Sequence, residues 1–121
     1  MERKPGRPEK KLIAWVRWYL AADGPGPQHC GVCQRARKEQ SWCGRCHNPP
    51  LLPEHEGAVA LYLACETQWR YGGMAGVRTG LDYAGVQVLM NLRGDSRETF
   101  EGLRILERET LHIDAARASK R

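Results

Sequence analysis

Four cysteines in two closely spaced pairs constrain this chain more than any other sequence feature. Cys30 and Cys33 form a CxxC pair, and Cys43 and Cys46 form a second pair after a nine-residue spacer. Two thiolates separated by two residues can bind one ion from a tight turn. Two such turns complete the tetrahedral coordination that Zn²⁺ adopts in structural sites. The sequence therefore predicts a compact zinc knuckle with these four cysteines as its ligands.

Other interpretations of these cysteines are disulfides, an iron–sulfur cluster or a redox pair. The odd total of five cysteines argues against a disulfide framework, and no leader-like apolar segment follows the charged N-terminus. His29, His47 and His55 flank the quartet and are alternative ligands. A closed four-sulfur site leaves no open coordination position, so we expect the metal to be structural rather than catalytic.

Nothing in the sequence suggests a membrane segment or a targeting signal. The longest uninterrupted apolar run, 58–65, is too short to cross a bilayer. Reduced thiols then favour a cytoplasmic protein with no membrane partner.

The net charge of +5 is unevenly distributed along the chain. Residues 1–53 contain ten Lys and Arg against four acids, whereas residues 54–121 contain nine against ten. The basic half is either ordinary solvated surface or a contact for phosphates or an acidic partner. Zinc knuckles with basic tips bind single-stranded nucleic acid, so a zinc-dependent nucleic-acid-binding protein is the alternative function.

Apolar periodicity predicts a mainly helical fold of about four helices with the knuckle inserted. The helices are predicted to run from Pro8 to about Ala22, Pro53 to about Arg70, Asp82 to Gly94, and Ser96 to about Ile113. Three parts follow: a basic arm and first helix (1–28), a zinc module with a proline-rich connector (29–52), and a helical domain (53–121). Residues 71–80 contain four glycines and are predicted to be a loop, so the only strands expected are ribbons at the zinc site.

The predicted buried stripes follow the helical period. They comprise Leu12, Ile13, Val16, Tyr19 and Leu20 in the first helix, with Trp15 and Trp18 widening its apolar face, Val59, Tyr62 and Leu63 in the second, Val86, Leu89 and Met90 in the third, and Phe100, Leu103, Leu106, Thr110 and Ile113 in the fourth. Cys65 is expected to be a small buried hydrophobe. Glu107, between two stripe positions, is expected to lie mostly outside. Residues 95–98 are expected to cap the fourth helix with Glu98 as the capping-box acid.

The chain offers little for enzymatic chemistry. It contains no evident paired carboxylates, no Ser-His-Asp pattern and no open metal site, and His112 lies alone on the last helix. We therefore expect a protein that is not an enzyme and takes no small-molecule substrate.

A second set of motifs lies between residues 53 and 113. Pro53-Glu54 opens a helix, Thr67-Gln68-Trp69-Arg70 follows it, and Gly80-Leu81-Asp82-Tyr83 opens the next helix after a glycine-rich turn. With Glu107 on the last helix, this pattern resembles a small family of tailed-phage and prophage proteins, often labelled phage tail assembly chaperones. The resemblance covers about half of the chain.

The resemblance implies a role in phage tail assembly, in the cytoplasm of a bacterial host. Such proteins are similar in gene position to short proteins made just before the long, helical tape-measure protein, which would be the partner. Trp69 and Tyr83 would then be aromatic anchors, with Arg70 and Asp82 as polar contacts. The alternative is structural: Trp69 would pack on Tyr83 in the core, and Arg70 would pair with Asp82.

Overall fold

The computed structural model of this protein describes residues 7–24, 26–27 and 51–120. These ranges contain α1 (Arg7–Tyr19), α2 (Glu56–Ala64), β1 (Trp69–Gly72), β2 (Val77–Leu81), α3 (Tyr83–Arg93) and α4 (Arg97–Ser119). Short 3₁₀ turns at Pro53–His55 and Glu66–Gln68 flank α2. The predicted mainly helical fold is confirmed, whereas the predicted zinc knuckle lies outside the described residues.

The 23-residue helix α4 organises the core, because α1, α2 and β2 all pack against it. Leu103 and Leu106 on α4 are fully buried, as predicted from their helical spacing. The elements around them contribute Leu12, Trp15, Val16, Ala58, Val59, Leu61, Tyr62, Cys65, Leu81 and Val86. Cys65 has no exposed surface, and burial raises the pKa of its thiol, which agrees with its predicted role as a buried hydrophobe.

A glycine allows α2 to approach α4 closely. A Cβ atom placed on Gly102 of α4 would lie 2.6 Å from the Cβ of Ala58 on α2, inside van der Waals contact. Both atoms are attached directly to helix backbone, so neither can move without moving its helix. The small residues at this crossing therefore determine the distance between the two helices.

Aromatic rings fill the space between α1, α2 and the start of β1. Trp15 stacks on Tyr19 with their centroids 4.9 Å apart, and the edge of Tyr62 meets Trp15 at 5.9 Å. Tyr62 also meets Trp69 at 6.3 Å, and its hydroxyl forms a 2.8 Å hydrogen bond with Thr110 inside the core. The prediction that the aromatic residues of α1 belong to the core is confirmed for Trp15.

Two arginines attach the periphery to α4. Arg17 forms ion pairs with Asp23 at 2.6 Å and with Glu109 at 2.7 Å, which joins the end of α1 to α4. Arg78 pairs with Asp114 at 2.7 Å and joins β2 to the C-terminal half of α4. Hydrogen bonding to these carboxylates raises the pKa of both guanidinium groups.

The glycine-rich segment corrects the sequence prediction. Its flanks form the antiparallel hairpin β1–β2, in which Trp69 lies opposite Leu81 and Gly72 opposite Val77. The turn is supported by Gly73 and Gly76, both with positive φ angles of 74° and 65°. The helix predicted to continue to Arg70 ends at Ala64, because the chain beyond it enters this hairpin.

The boundaries of α3 and α4 depend on local signals, and most of them agree with the sequence. Asp82 caps α3 by accepting a hydrogen bond from the Ala84 amide, and Gly94 ends the helix with φ 76°. Ser96 caps α4 by accepting from the Thr99 amide, so Thr99 and not Glu98 occupies the third helical position. The predicted capping-box role of Glu98 is therefore wrong.

None of the helices in the described ranges is both long enough and apolar enough to cross a membrane.

Candidate partner-binding groove

A buried carboxylate joins β2 and α3 to α4. Glu107 on α4 is only 7% exposed; it accepts a 2.9 Å hydrogen bond from the Leu81 amide and a second from the Tyr83 hydroxyl. The Arg104 guanidinium lies 3.6 Å from the same carboxylate. The prediction that Glu107 points outward is wrong, because two donors from a distant part of the chain replace the water it would lose on burial.

Tyr83 is consequently held in one orientation at the start of α3. Its ring meets the edge of Phe100 at 5.8 Å, and Arg104 lies over its other side at 5.7 Å from the centroid. Burial, followed by the hydrogen bond to Glu107 and the nearby negative charge, raises the pKa of the Tyr83 phenol to about 12. The side chain nevertheless keeps 41% of its surface exposed.

This raised pKa predicts a loss of stability at high pH. The ordinary value is 10.0, so the contribution of the protonated Tyr83 phenol is complete below pH 10 and declines towards about pH 12. Tyr83→Phe should remove this part of the pH dependence. A difference titration of tyrosinate absorbance, wild type minus variant, should show a phenol titrating near pH 12; a difference centred near pH 10 would contradict the buried contact with Glu107.

A groove lies between α3 and the first turns of α4, with Tyr83 at one end. Its walls are Val86, Met90 and Phe100, with a volume of about 370 Å³. Gln87 and Asn91 line it from α3, and Asp95 and Arg97 line it from the start of α4. We call this surface the α3–α4 groove.

Apolar surface continues around α3 beyond the groove. Val88 is 57% exposed and Leu92 is 79% exposed, and four residues apart they lie on the same side of the helix. Neither residue lines the groove, and each lies about 100° around the helix from Gln87 or Asn91. The helix therefore has apolar side chains on its core face, in the groove and on its solvent side.

Comparison with known proteins gives one result. A family described as phage related hypothetical protein (DUF1799) matches residues 48–113. The chain belongs to this family. Neither a curated protein nor a solved structure was found to match the chain.

The match supports the phage assignment that the sequence resemblance suggested. It covers α2, the hairpin, α3 and most of α4, and so includes the whole α3–α4 groove. The family description names no step of phage assembly.

The four predicted contact residues lie in different surroundings. Trp69 is partly buried between Tyr62 and Arg78, whose guanidinium is 5.2 Å from the indole centroid. Arg70 is exposed on β1, opposite Gly80. Asp82 caps α3.

The structural alternative predicted that Trp69 packs on Tyr83 and that Arg70 pairs with Asp82. Within the described ranges, neither contact is formed. Trp69 packs on Tyr62 rather than on Tyr83, and Asp82 uses its carboxylate on the α3 amide rather than on Arg70. Tyr83 alone among the four lines the groove. Phe100 and Met90, which form its apolar walls, were predicted only as core positions.

The predicted metal ligands cannot be placed. Cys30, Cys33, Cys43 and Cys46 lie outside the described residues, and among the residues that are described no three potential ligands cluster in a way that could hold a metal. His55, the alternative ligand beside the connector, is buried, and its Nδ1 atom has no hydrogen-bond partner in the described ranges.

Proposed function

We propose that this protein takes part in phage or prophage tail assembly, as a chaperone or minor tail component that binds a long helical tail protein. The observation that carries this proposal is the apolar surface of α3. It comprises the α3–α4 groove and, on the solvent side of the same helix, the exposed Val88 and Leu92.

Solvent-exposed apolar surface and apolar grooves are typical of protein–protein contacts. Burying Leu92 and Val88 against a partner would remove apolar area from water at about 25 cal/mol per Å². A long helical protein carries stripes of apolar side chains that must be covered until it assembles, and a helix lying in a groove is a common way to cover them.

Co-expression with the neighbouring long tail protein tests the proposal. An affinity pull-down should recover the tail protein in soluble form, and the complex should persist at high salt because apolar contacts are not screened. Recovery of nucleic acid at low salt alone, with no tail protein, would instead favour the alternative function of the basic N-terminal half, since binding to phosphates weakens steeply with salt.

Two matched variants assign the contact to α3. Leu92→Gln removes an exposed apolar side chain on the solvent side of α3, and Met74→Gln removes a fully exposed one at the hairpin turn. Neither side chain belongs to the core, so both variants should fold normally. The first should weaken recovery of the tail protein and the second should not; equal recovery with both would remove α3 from the proposal.

We also propose that Cys30, Cys33, Cys43 and Cys46 hold a structural zinc ion. Four thiolates in two CxxC pairs match the donor set that structural zinc takes, and bound zinc contributes to folding directly. The metal would supply a rigid cross-link and no chemistry.

The zinc proposal predicts about one zinc ion per chain in purified protein, measured by elemental analysis. Cys43→Ser should release the metal and lower the thermal stability, because a ligand is lost. Cys65→Ala is the matched control: its thiol is buried in the helical core, and zinc content should be unchanged. Wild-type protein that contains no zinc and is as stable with a chelator as without it would contradict the site.

A further inference from the structure

The walls of the α3–α4 groove restrict the conformation of its occupant. Both walls are helices, whose backbone groups beyond the first turn are hydrogen-bonded within each helix. An extended peptide pairs its backbone with an open strand edge, and the residues that line this groove offer none. An occupant that satisfies its own backbone hydrogen bonds and presents side chains, which an α-helix does, fits such a surface.

Most charged side chains around the groove form ion pairs with one another. Asp95 forms an ion pair with Arg93 at 2.8 Å, and Arg104 lies beside Glu107 and Tyr83. Arg97 lines the groove, and within the described part of the chain no acidic side chain forms an ion pair with it. The groove therefore has an apolar interior, and Arg97 is the charged residue of its described lining that has no ion-pair partner.

The position of Arg97 on α4 favours an acidic partner group. It is the first residue of α4, where the helix dipole is positive and a cation is unfavourable. An external carboxylate at this point would be attracted by the guanidinium and by the helix end together.

We propose that the α3–α4 groove binds an amphipathic helix that carries an acidic residue about one turn from a large apolar residue. The apolar side chain enters between Met90 and Phe100, and the carboxylate pairs with Arg97. This inference rests on the proposed function and specifies the chemistry of the segment that the tail protein would present.

A selection that does not depend on the natural partner tests this chemistry. A displayed random peptide library is selected on the wild-type protein and, in parallel, on Arg97→Glu, which replaces an exposed side chain and leaves the core intact. Peptides from the wild-type selection should combine an aromatic or large aliphatic residue with Asp or Glu three or four positions away. Peptides from the Arg97→Glu selection should carry Lys or Arg at that place.

Binding measurements on the selected peptides complete the test. A synthetic wild-type-selected peptide should bind Arg97→Glu about tenfold more weakly than wild type, as expected for reversal of one charge at an interface rim. Arg108→Glu is a control with the same change of charge. Arg108 is also exposed on α4 but lies outside the groove lining, so this variant should bind the peptide as wild type does.

The outcomes distinguish a failure of this inference from a failure of the proposed function. Selected peptides with no acidic preference, or with the same preference on Arg97→Glu, would overturn it, as would a selection that enriches no peptide. If the peptides behave as expected but the tail protein is not recovered by co-expression, the groove chemistry holds and the tail-assembly function fails. If the tail protein is recovered equally by wild type and Arg97→Glu while the peptides show no charge preference, the function stands and this inference fails.

Discussion

Replacing Glu107 by Ala is expected to lower the free energy of unfolding by about 3 kcal/mol, because it leaves a buried amide and a partly buried hydroxyl without their acceptor. The Leu81 amide loses its 2.9 Å hydrogen bond inside the core, and the Tyr83 hydroxyl loses its partner at the groove. β2 and α3 would each lose a hydrogen bond to α4, while the Arg78–Asp114 ion pair and the apolar core would remain. Urea denaturation followed by circular dichroism measures the change.

Two further variants separate the hydrogen bonds of Glu107 from the presence of a charge on α4. Glu107→Gln keeps an acceptor oxygen in the same place and should cost about 1 kcal/mol. Glu101→Ala removes an exposed acid from the same helix and should change stability by less than about 0.5 kcal/mol. If Glu107→Ala is no more harmful than Glu101→Ala, the buried carboxylate does not hold these elements together.

The second large effect is expected at the crossing of α2 and α4. Gly102→Ala should destabilise the fold by about 2 kcal/mol, since the added methyl group would meet Ala58 and force the helices apart. Without this contact, the change from Gly to Ala in a helix would stabilise by about 0.5–1 kcal/mol. Whether Gly102→Ala lowers or raises the stability therefore shows whether α2 and α4 are packed too closely to accept a methyl group.

Gly85 on α3 is the matched control for this substitution. A methyl group there meets only the end of the Gln68 side chain, which can rotate away. Gly85→Ala should therefore be neutral or slightly stabilising in the same thermal or urea measurement. Combining Gly102→Ala with Ala58→Gly should recover part of the lost stability; no recovery would mean that Ala58 is not the group that clashes.

The sequence alone predicted the structure correctly where that structure depends on residues close together in the chain. The cap at Asp82 and the stop at Gly94 follow from the conformations that these residues favour within one turn of helix. The stripe of Leu103 and Leu106 follows from the period of 3.6 residues, which any amphipathic helix must keep.

Prediction failed where distant segments determine the outcome. The alternation of Tyr71, Val77, Thr79 and other large or branched residues around the glycines was a signal for strands, but the pairing partner decides whether such a short segment forms one. Glu107 is buried only because Leu81 and Tyr83 provide donors, and no pattern within α4 indicates this.

The groove itself could not be derived from periodicity. Phe100 and Met90 are apolar residues at core-like positions in their helices, and both are only partly buried. Whether such residues close against each other or leave space depends on how α3 turns back at Gly94 towards α4. The Gly80–Tyr83 motif was enough to predict Tyr83 as a contact residue. Its position at the end of the groove is known only from the structure.

Hydrogen–deuterium exchange of the complex with the long tail protein tests the central claim most directly. If the α3–α4 groove holds the partner, amides of residues 83–100 should exchange more slowly in the complex than in the free protein, while those of the hairpin turn at residues 73–76 should be unchanged. Slower exchange confined to the hairpin or to residues 1–50, with α3 unaffected, would contradict the groove as the binding surface.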